Sequence, residues 1–483
     1  MDFRPILMIV GTLLATLALV MCVPAVVDAS LGHPDWEVFA ASAGVTLFLG
    51  VAMALTATTG GVRSLSVRQA FVMTTLTWVA LTVFASFPFM FSERDLSFTD
   101  AFFEAMSGLT TTGSTILTDL QSLPPGILLW RALLQWLGGI GIIVMAIAIL
   151  PMLKVGGMQL FRMESTDQST EKAMPRVAQI ASTIGVIYLF LTMVWAGAFW
   201  VAGMSGFDAV AHAMTTIATG GYSTRDDSIG HFNSAAIDYI ASLGMVVGAL
   251  PFIAYVRMLQ GQFTALPRDP QVQWFLTTVT AVVLVTTMWL WLEQEKHPAD
   301  ALRLATFNII SIITGTGFAT DDYSLWGHFA LPIFFFIMFI GGCAGSTSCG
   351  IKIFRFQVLL KSMKSWIDQI LQPNGVFIAR YNGRPIPEDV RNSVMSFLTL
   401  FLASFLVLSL AISATGADWI TSFSSAGTAL ANVGPGLGED VGPAGTFNGL
   451  NNAAKWLMSL GMLAGRLELF SVLVLLSPRF WRA

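Results

Sequence analysis

The sequence predicts an all-α integral membrane protein, with ten spanning helices and four short half-helices in pseudo-four-fold order. Three observations predict it. Hydrophobic residues make up 55% of the 483-residue chain and charged residues only 11%, against about 25% charged in a typical soluble domain. Ten apolar runs reach the length of about 20 residues that a bilayer span needs: 5–27, 36–58, 70–91, 126–150, 177–201, 235–258, 271–292, 329–350, 393–415 and 452–476. Between later pairs of runs one short pattern recurs four times, at 103–114, 212–222, 307–318 and 424–435.

The first two runs precede any repeat. The first shows no small-residue cleavage site and is followed by a second span, so it reads as retained. The expected organisation is two N-terminal helices (1–68), then pore repeats at 69–176, 177–268, 269–392 and 393–483. Anchored on Gly113, Gly221, Gly317 and Gly434, the repeat columns fall into line. Six residues earlier stand Ser107, Thr215, Ser311 and Thr428, and four earlier Leu109, Ile217, Ile313 and Leu430. The anchors lie 108, 96 and 117 residues apart, a large repeat unit rather than low complexity.

The apolar piece before each anchor, such as 100–111, holds 12 residues or so. At 1.5 Å per residue that is about 18 Å, too short for about 30 Å of hydrocarbon. Each piece is therefore expected to be a re-entrant half-helix with a non-helical return. Such backbone is tolerated at membrane depth only where it lines a cavity or is buried in protein. Asp100 and Asp208 stand at the N-terminal ends of the first two, where a carboxylate suits the helix dipole. The opposite ends, partly negative, point inward and favour a cation.

Both termini are expected in the cytoplasm. Then only Arg94, Arg131, Arg225, Lys296, Arg303 and Lys455 lie outside or at the outer rim, and Arg466 lies within a span. The other 18 of the 25 Lys and Arg residues, Arg63, Lys154, Arg162 and Lys172 among them, are inside, as the positive-inside rule describes. Of the 29 acids, 20 fall outside, several directly after the anchors (Asp226, Asp227, Asp321, Asp322, Glu439, Asp440). For any one of them a soluble outer surface is reason enough. Together they raise the local cation concentration at a pore mouth.

Four glycine loops on one side of a membrane suggest four walls around one pore. Lining it with carbonyl oxygens requires successive peptides to turn the same way, and glycine reaches φ > 0 most cheaply. Hard monovalent cations accept carbonyl rings in place of water. The expected ligands are Thr111, Thr112 and Gly113; Thr219, Gly220 and Gly221; Gly315, Thr316 and Gly317; and Asn432, Val433 and Gly434. A single Thr/Gly string would read as a small-residue packing face. Four in register do not.

The strings TTTGST (110–115), TGGYST (219–224) and TGTGFAT (314–320) resemble the filter loops of the Trk/Ktr/HKT superfamily of potassium transporters, with NVGPG (432–436) as the fourth. The resemblance covers nearly the whole chain, and two extra leading spans make it similar to the TrkH-type bacterial subunit. It implies K+ as the transported ion, a homodimer in the cytoplasmic (inner) membrane, and a cytosolic nucleotide-binding regulatory ring of the TrkA type. Relatives that favour sodium often carry serine at the first filter glycine; here Gly113 and its counterparts are all glycine. The fourth loop departs from the others at Val433 and Pro435.

The eighth run is interrupted by GGCAGSTSCG at 341–350, and such Gly/Ser stretches are where helices unwind. A phosphate-binding loop would need Gly-Lys-Ser/Thr, which Gly350-Ile351-Lys352 does not supply. A serine nucleophile elbow fails too, since neither Ser346 nor Ser348 has glycines at both flanking positions. The resemblance makes this stretch the loop that obstructs the pore, with Gly341, Gly342, Gly345, Ser346 and Gly350 as gate residues. Arg466, read as midway along the last run, is costly in hydrocarbon at roughly 2.5–3.5 kcal/mol. Residues two apart on a helix face different ways, so Glu468 is a poor partner and Arg466 is expected to face the pore and the gate loop.

Glu104 and His212 share a column with Asn308 and Ser425 and read as braces. Trp130, Trp136 and Trp456 read as interface or packing aromatics. The basic stretch 352–391 reads as an inner loop that fixes topology and docks a cytosolic partner. Cys22, Cys343 and Cys349 are too few for a disulfide framework, and no metal or organic cofactor is expected beyond the transported ion. An ion-coupled secondary transporter is the alternative, but such proteins usually show inverted repeats, whereas these loops share one side. An intramembrane enzyme would need a pair such as Ser with His, and the sequence offers none. Nothing points to nucleic acid.

Overall fold

The structure, a computed structural model, describes residues 2–57, 66–148 and 173–482. Arg63, Lys154, Arg162 and Lys172 lie outside the described residues, as do the ends of the second and fourth apolar runs. Among the described residues seven helices are long and apolar enough to cross a membrane: Arg4–Leu31, Trp36–Ala57, Val67–Phe91, Pro125–Ala146, Gln179–Val201, Pro270–Leu292 and Glu388–Ser413.

The remaining three runs are not continuous helices; the interruption of the eighth was expected, and the breaks in the sixth and tenth correct the expectation of unbroken spans there. Ala235–Ala249 and Phe252–Leu259 meet at 88°, because Leu250 is extended and Pro251 has no N–H to continue the ladder. Asn452–Arg466 and Phe470–Leu476 meet at 110°, where Glu468 and Leu469 take φ of 61° and 52°. In the eighth run only Ala330–Ile337 is regular helix, and the glycine stretch follows it. Counting each bent pair as one span gives up to nine.

The N-terminal helices cross at two glycines. A Cβ on Gly11 would stand 2.5 Å from the Gly50 carbonyl oxygen, and one on Gly50 2.8 Å from that of Gly11, a small-residue contact that brings two backbones together. Buried Asp28 ties this pair to the first repeat by accepting the Gly126 N–H (2.6 Å). The apolar core then divides. One buried cluster joins the N-terminal helices mainly to the first and fourth repeats and reaches into the second and third. Another joins the second to the third and takes in Val433 of the fourth loop.

Each repeat carries a short helix: Phe98–Leu109, Gly206–Ile217, Pro298–Ile313 and Trp419–Ala431. Side chains of Ser97, Ser205, His297 and Asp418 cap their N-termini, satisfying N–H groups the helix leaves unpaired. Asp100 and Asp208 sit in the first turns, where their sequence positions put them.

The basic stretch is more ordered than an inner loop. It forms the helix Ile353–Leu371 and a hairpin of Arg380–Tyr381 with Arg384–Pro385. Asn382 and Gly383 both take positive φ at its turn, as a tight two-residue hairpin requires.

Candidate functional site

The four short helices end alike. The residue two before each anchor is left-handed: Thr111 (φ 53°), Thr219 (49°), Gly315 (76°) and Asn432 (50°). The next N–H folds back to the Ser/Thr column. Thr112 donates to the Ser107 carbonyl (2.9 Å), Gly220 to Thr215 (2.8 Å), Thr316 to Ser311 (2.8 Å) and Val433 to Thr428 (3.0 Å). This helix-terminating motif satisfies otherwise orphaned carbonyls. A β-branched residue with positive φ is an outlier that marks functional backbone, and Thr111 and Thr219 are two. Gly113, Gly221 and Gly317 are also left-handed (89°, 80°, 85°), so φ is positive at alternate residues. Gly434 is not among the positive-φ glycines, and Pro435 follows it.

These loops close on one another. A Cβ on Gly113 would collide with the Gly220 oxygen, and one on Gly221 with the Thr316 oxygen. One on Gly317 would stand 2.8 Å from the Gly434 nitrogen, and one on Gly434 3.3 Å from the Gly113 carbonyl carbon and Thr112 oxygen. First touches second, second third, third fourth, and fourth first. At the first three anchors a side chain would strike the next loop, and at Gly434 it would press closely on the first.

Hydroxyls and amides brace the ring from behind. Thr110 and Thr112 share a hydrogen bond (2.7 Å), and Thr314 and Thr316 repeat it (2.7 Å). Gln135 donates to the Gly220 carbonyl (2.6 Å) and accepts from the Tyr222 N–H (2.9 Å). Ser114 donates to the Gly434 carbonyl (2.7 Å), and Asn432 Nδ2 to Thr112 Oγ1 (2.9 Å) and the Met462 carbonyl (2.9 Å). The brace column behaves as expected in three repeats. Glu104 accepts from Thr115 and from the Ile116 N–H (3.0 Å), His212 pairs with Ser223 (2.9 Å), and Asn308 Nδ2 donates to Thr320 (2.9 Å). In the fourth, Ser425 Oγ has no partner among the described residues. Thus a Ser–His contact does occur, contrary to the sequence reading. It is buried, and the other ring nitrogen meets the Asp208 carbonyl (2.8 Å), so it joins helix to loop.

Sequence reasoning missed the strongest brace. Arg131, read as a rim residue, is 1% exposed and pairs with fully buried Glu104 (2.8 Å). It also donates to the Ser223 carbonyl (2.8 Å) and to Thr115 (3.0 Å), and lies 4.1 Å over the Tyr222 ring. Arg131 and Gln135 lie one helical turn apart, a signal that was there to read. Glycines after the ring were missed as well. A Cβ on Gly138 or Gly465 would collide with the carbonyl of Leu109 or Leu430, and on Gly248 would stand 2.8 Å from that of Ile217.

Beneath the ring lies the 341–350 loop. Gly341 donates to the Ile351 carbonyl (3.0 Å) and Ile351 to Phe339 (3.0 Å), closing its neck. Cys343 N–H donates to Ala249 (3.0 Å), Thr347 N–H to Gly248 (3.2 Å), and Phe252 N–H to Gly345 (2.9 Å). The loop thereby pairs with the backbone that the 88° break leaves open. Ser348 Oγ donates to the Thr314 carbonyl (2.6 Å), joining loop to ring, while Ser346 turns back to Cys343 (2.6 Å). Gly345 and Gly350 take φ of 74° and 72°. Gly341 and Gly342 have no room for a Cβ: one would strike Cys349, the other would stand 2.8 Å from Ser348.

Arg466 reaches this loop. It donates to the Thr347 carbonyl (3.3 Å), Cys349 Sγ (2.5 Å) and the Gly138 carbonyl (3.1 Å). Its position needs correcting: it is the last residue of Asn452–Arg466, at the 110° break, not the middle of a straight helix. Glu468 is not its partner and pairs with buried Arg355. Lys352 donates to the Ser348 carbonyl.

Residues 37–483 match the TrkH family model, described as a cation transport protein. The chain is 46% identical to the Trk system potassium uptake protein TrkI of Halomonas elongata, over 99% of this chain and 97% of that protein. It is 39% identical to the Trk system potassium uptake protein TrkH of Escherichia coli K12, over 100% of both. The crystal structure of the potassium transporter TrkH from Vibrio parahaemolyticus superposes with a TM-score of 0.91 at 37% identity, covering 100% of both chains.

Removing one member of a buried ion pair costs about 3–5 kcal/mol, because the other charge is left uncompensated. Arg131→Met is expected to lower the melting temperature of the detergent-solubilised protein sharply, and Glu104→Gln added to it to restore part of the loss. Equal destabilisation in the single and double variants would show that the pair is uncoupled.

Proposed function

The chain belongs to the TrkH family of cation transport proteins, and on that premise we propose how it performs potassium uptake across a membrane. The observation that carries the reading is the closed ring of four loops. Carbonyls of residues 111–113, 219–221, 315–317 and 432–434 replace the water shell of K+, with the short helices re-entrant and their negative ends aimed at the ion. Gly220 and Gly434 already accept hydrogen bonds from Gln135 and Ser114, so these two oxygens are held and weaker ligands than the rest.

Below the ring the loop with Gly341, Gly342, Gly345, Ser346 and Gly350 closes the path, and Arg466 latches it. A guanidinium bound to Thr347 and Cys349 holds the loop and repels a cation leaving the ring. Ions pass when the two separate. The ion-coupled transporter reading is less favoured, because loops that join head to tail in chain order describe parallel units around an axis, not an inverted pair.

Around this pore we assign the finer features the resemblance implies: a homodimer in a bacterial inner membrane, both termini cytoplasmic, with a TrkA-type ring on the inner face. The helix Ile353–Leu371 and its hairpin suit the ring's docking. They enclose a cleft of ≈ 440 Å³ lined by Lys361, Lys364 and Arg380.

Three outcomes are expected. In proteoliposomes, Gly113→Ser should reduce discrimination of potassium over sodium by about tenfold, near 1.4 kcal/mol; unchanged selectivity would remove the first loop from the filter. Arg466→Ala should raise potassium flux at equal protein density, and an unchanged or lower rate would contradict the latch. Neutralising Lys361, Lys364 and Arg380 together should weaken binding of the regulatory ring in pull-down while selectivity stays as it was. A shifted ion preference would rule that role out.

A further inference from the structure

Away from the ring and gate, the turn between the first two helices meets the end of the third. His33, Asp35 and Glu93 converge there, one ligand atom of each lying within 4.8 Å of the others. Their settings differ. Asp35 is 3% exposed, and its Oδ2 has no hydrogen-bond partner among the described residues. Nearby Asp28 is fully buried, and its Oδ2 is likewise unpartnered while the other oxygen holds the Gly126 N–H. The Glu93 side chain is 60% exposed and His33 27%.

Charge at this junction does not balance. Asp28 and Asp35 repel each other and the Glu93 carboxylate repels Asp35. Among the described residues the attractions on the two aspartates are the backbone N–H groups of Gly126 and Glu93 and the His33 imidazole. The neighbouring Arg94 is turned away, onto Asp119 (3.5 Å) and Ser122 (2.5 Å). Buried carboxylates without a compensating cation are costly.

We propose that His33, Asp35 and Glu93 form a binding site for a divalent cation of the zinc type. One imidazole and two carboxylates are a donor set that Zn2+ accepts at about 2.0–2.2 Å, with water completing the tetrahedron. His33 Nε2 stands 3.9 Å from Glu93 Oε2, a gap that a metal can bridge after a small closure. Asp35 is the fixed ligand, and exposed Glu93 is the one that swings in. Ligation through Nε2 requires the ring proton on Nδ1, so His33 gives up its long contact with the Asp35 N–H (3.3 Å). Glu93 lies just ahead of the first short helix, Phe98–Leu109. A filled site therefore pins the N-terminal helix pair to the segment that leads into the ring.

The test uses the purified full chain in detergent at neutral pH, stripped of metal and titrated with zinc alone. Calorimetry is expected to show one zinc per chain and thermal melting a stabilisation, since a ligand that binds only the folded state raises its stability. Magnesium, which prefers all-oxygen sites, should do neither. Glu93→Gln and His33→Gln should each weaken zinc binding by about tenfold or more, with potassium flux in zinc-free liposomes unchanged. Glu93 is exposed, so its variant keeps the fold. Zinc bound equally by both variants, no zinc bound by the parent chain, or equal stabilisation by magnesium would overturn the proposal. So would stabilisation by mild acid with no response to zinc, which would identify a protonated Asp35 instead.

Discussion

The structure depends on one steric constraint: at Gly113, Gly221 and Gly317 the backbone of the next repeat lies where a Cβ would have to be, and at Gly434 a Cβ would be in tight contact with the first loop. Gly113, Gly221, Gly317 and Gly434 are joints between walls as well as flexible points within loops. Oxygen-lined backbone can be held at a fixed radius only if its neighbours cannot move apart or together. Here each loop is the next one's stop. The glycines that follow, Gly138, Gly248 and Gly465, extend the same rule, letting a helix approach three of the four short helices at their ends.

Around that constraint the buried polar groups are arranged as a scaffold. Glu104, Arg131, Thr115 and Tyr222 form one connected set spanning the first two repeats. Gln135 does the same between a helix of the first repeat and a loop of the second. Buried networks of this kind are rigid when every member is satisfied. The 341–350 loop, proposed above as the gate, contrasts with it. It is fastened mostly by backbone and serine hydrogen bonds, many of them to backbone left open at a helix break.

Much of this was legible in the sequence. Repeats in register announced the four loops, because a backbone requirement imposed four times leaves four matching columns. The unusual cost of Arg466 in an apolar run announced its contact with the 341–350 loop. What was not legible came from three-dimensional closure. The breaks at Pro251 and Arg466 lie inside runs that read as continuous, since hydropathy measures composition and not direction. Arg131 looked like a rim charge because its partner Glu104 is 27 positions away. Glu468 reads as a poor partner for Arg466, and it is; what the sequence did not show is that its partner is the distant Arg355, toward which it lies at a positive-φ bend. The basic stretch reads as a loop by its charge alone, although it also carries apolar residues, of which Ile353, Phe354 and Val358 are buried while Trp366, Ile367 and Ile370 are exposed.

All four walls are encoded in one chain, and this sets how such a pore can change. In a ring of identical subunits every substitution appears on every side at once. Here Val433 and Pro435 occur in one wall only, and the paired threonine hydroxyls of Thr110/Thr112 and Thr314/Thr316 occur in alternate walls. Each side is an independent unit of variation, so a step that would be lethal in quadruplicate is taken on one quarter of the circumference. The departure of the fourth loop, with Gly434 outside the left-handed region, is the kind of asymmetry that gene duplication allows and subunit assembly forbids.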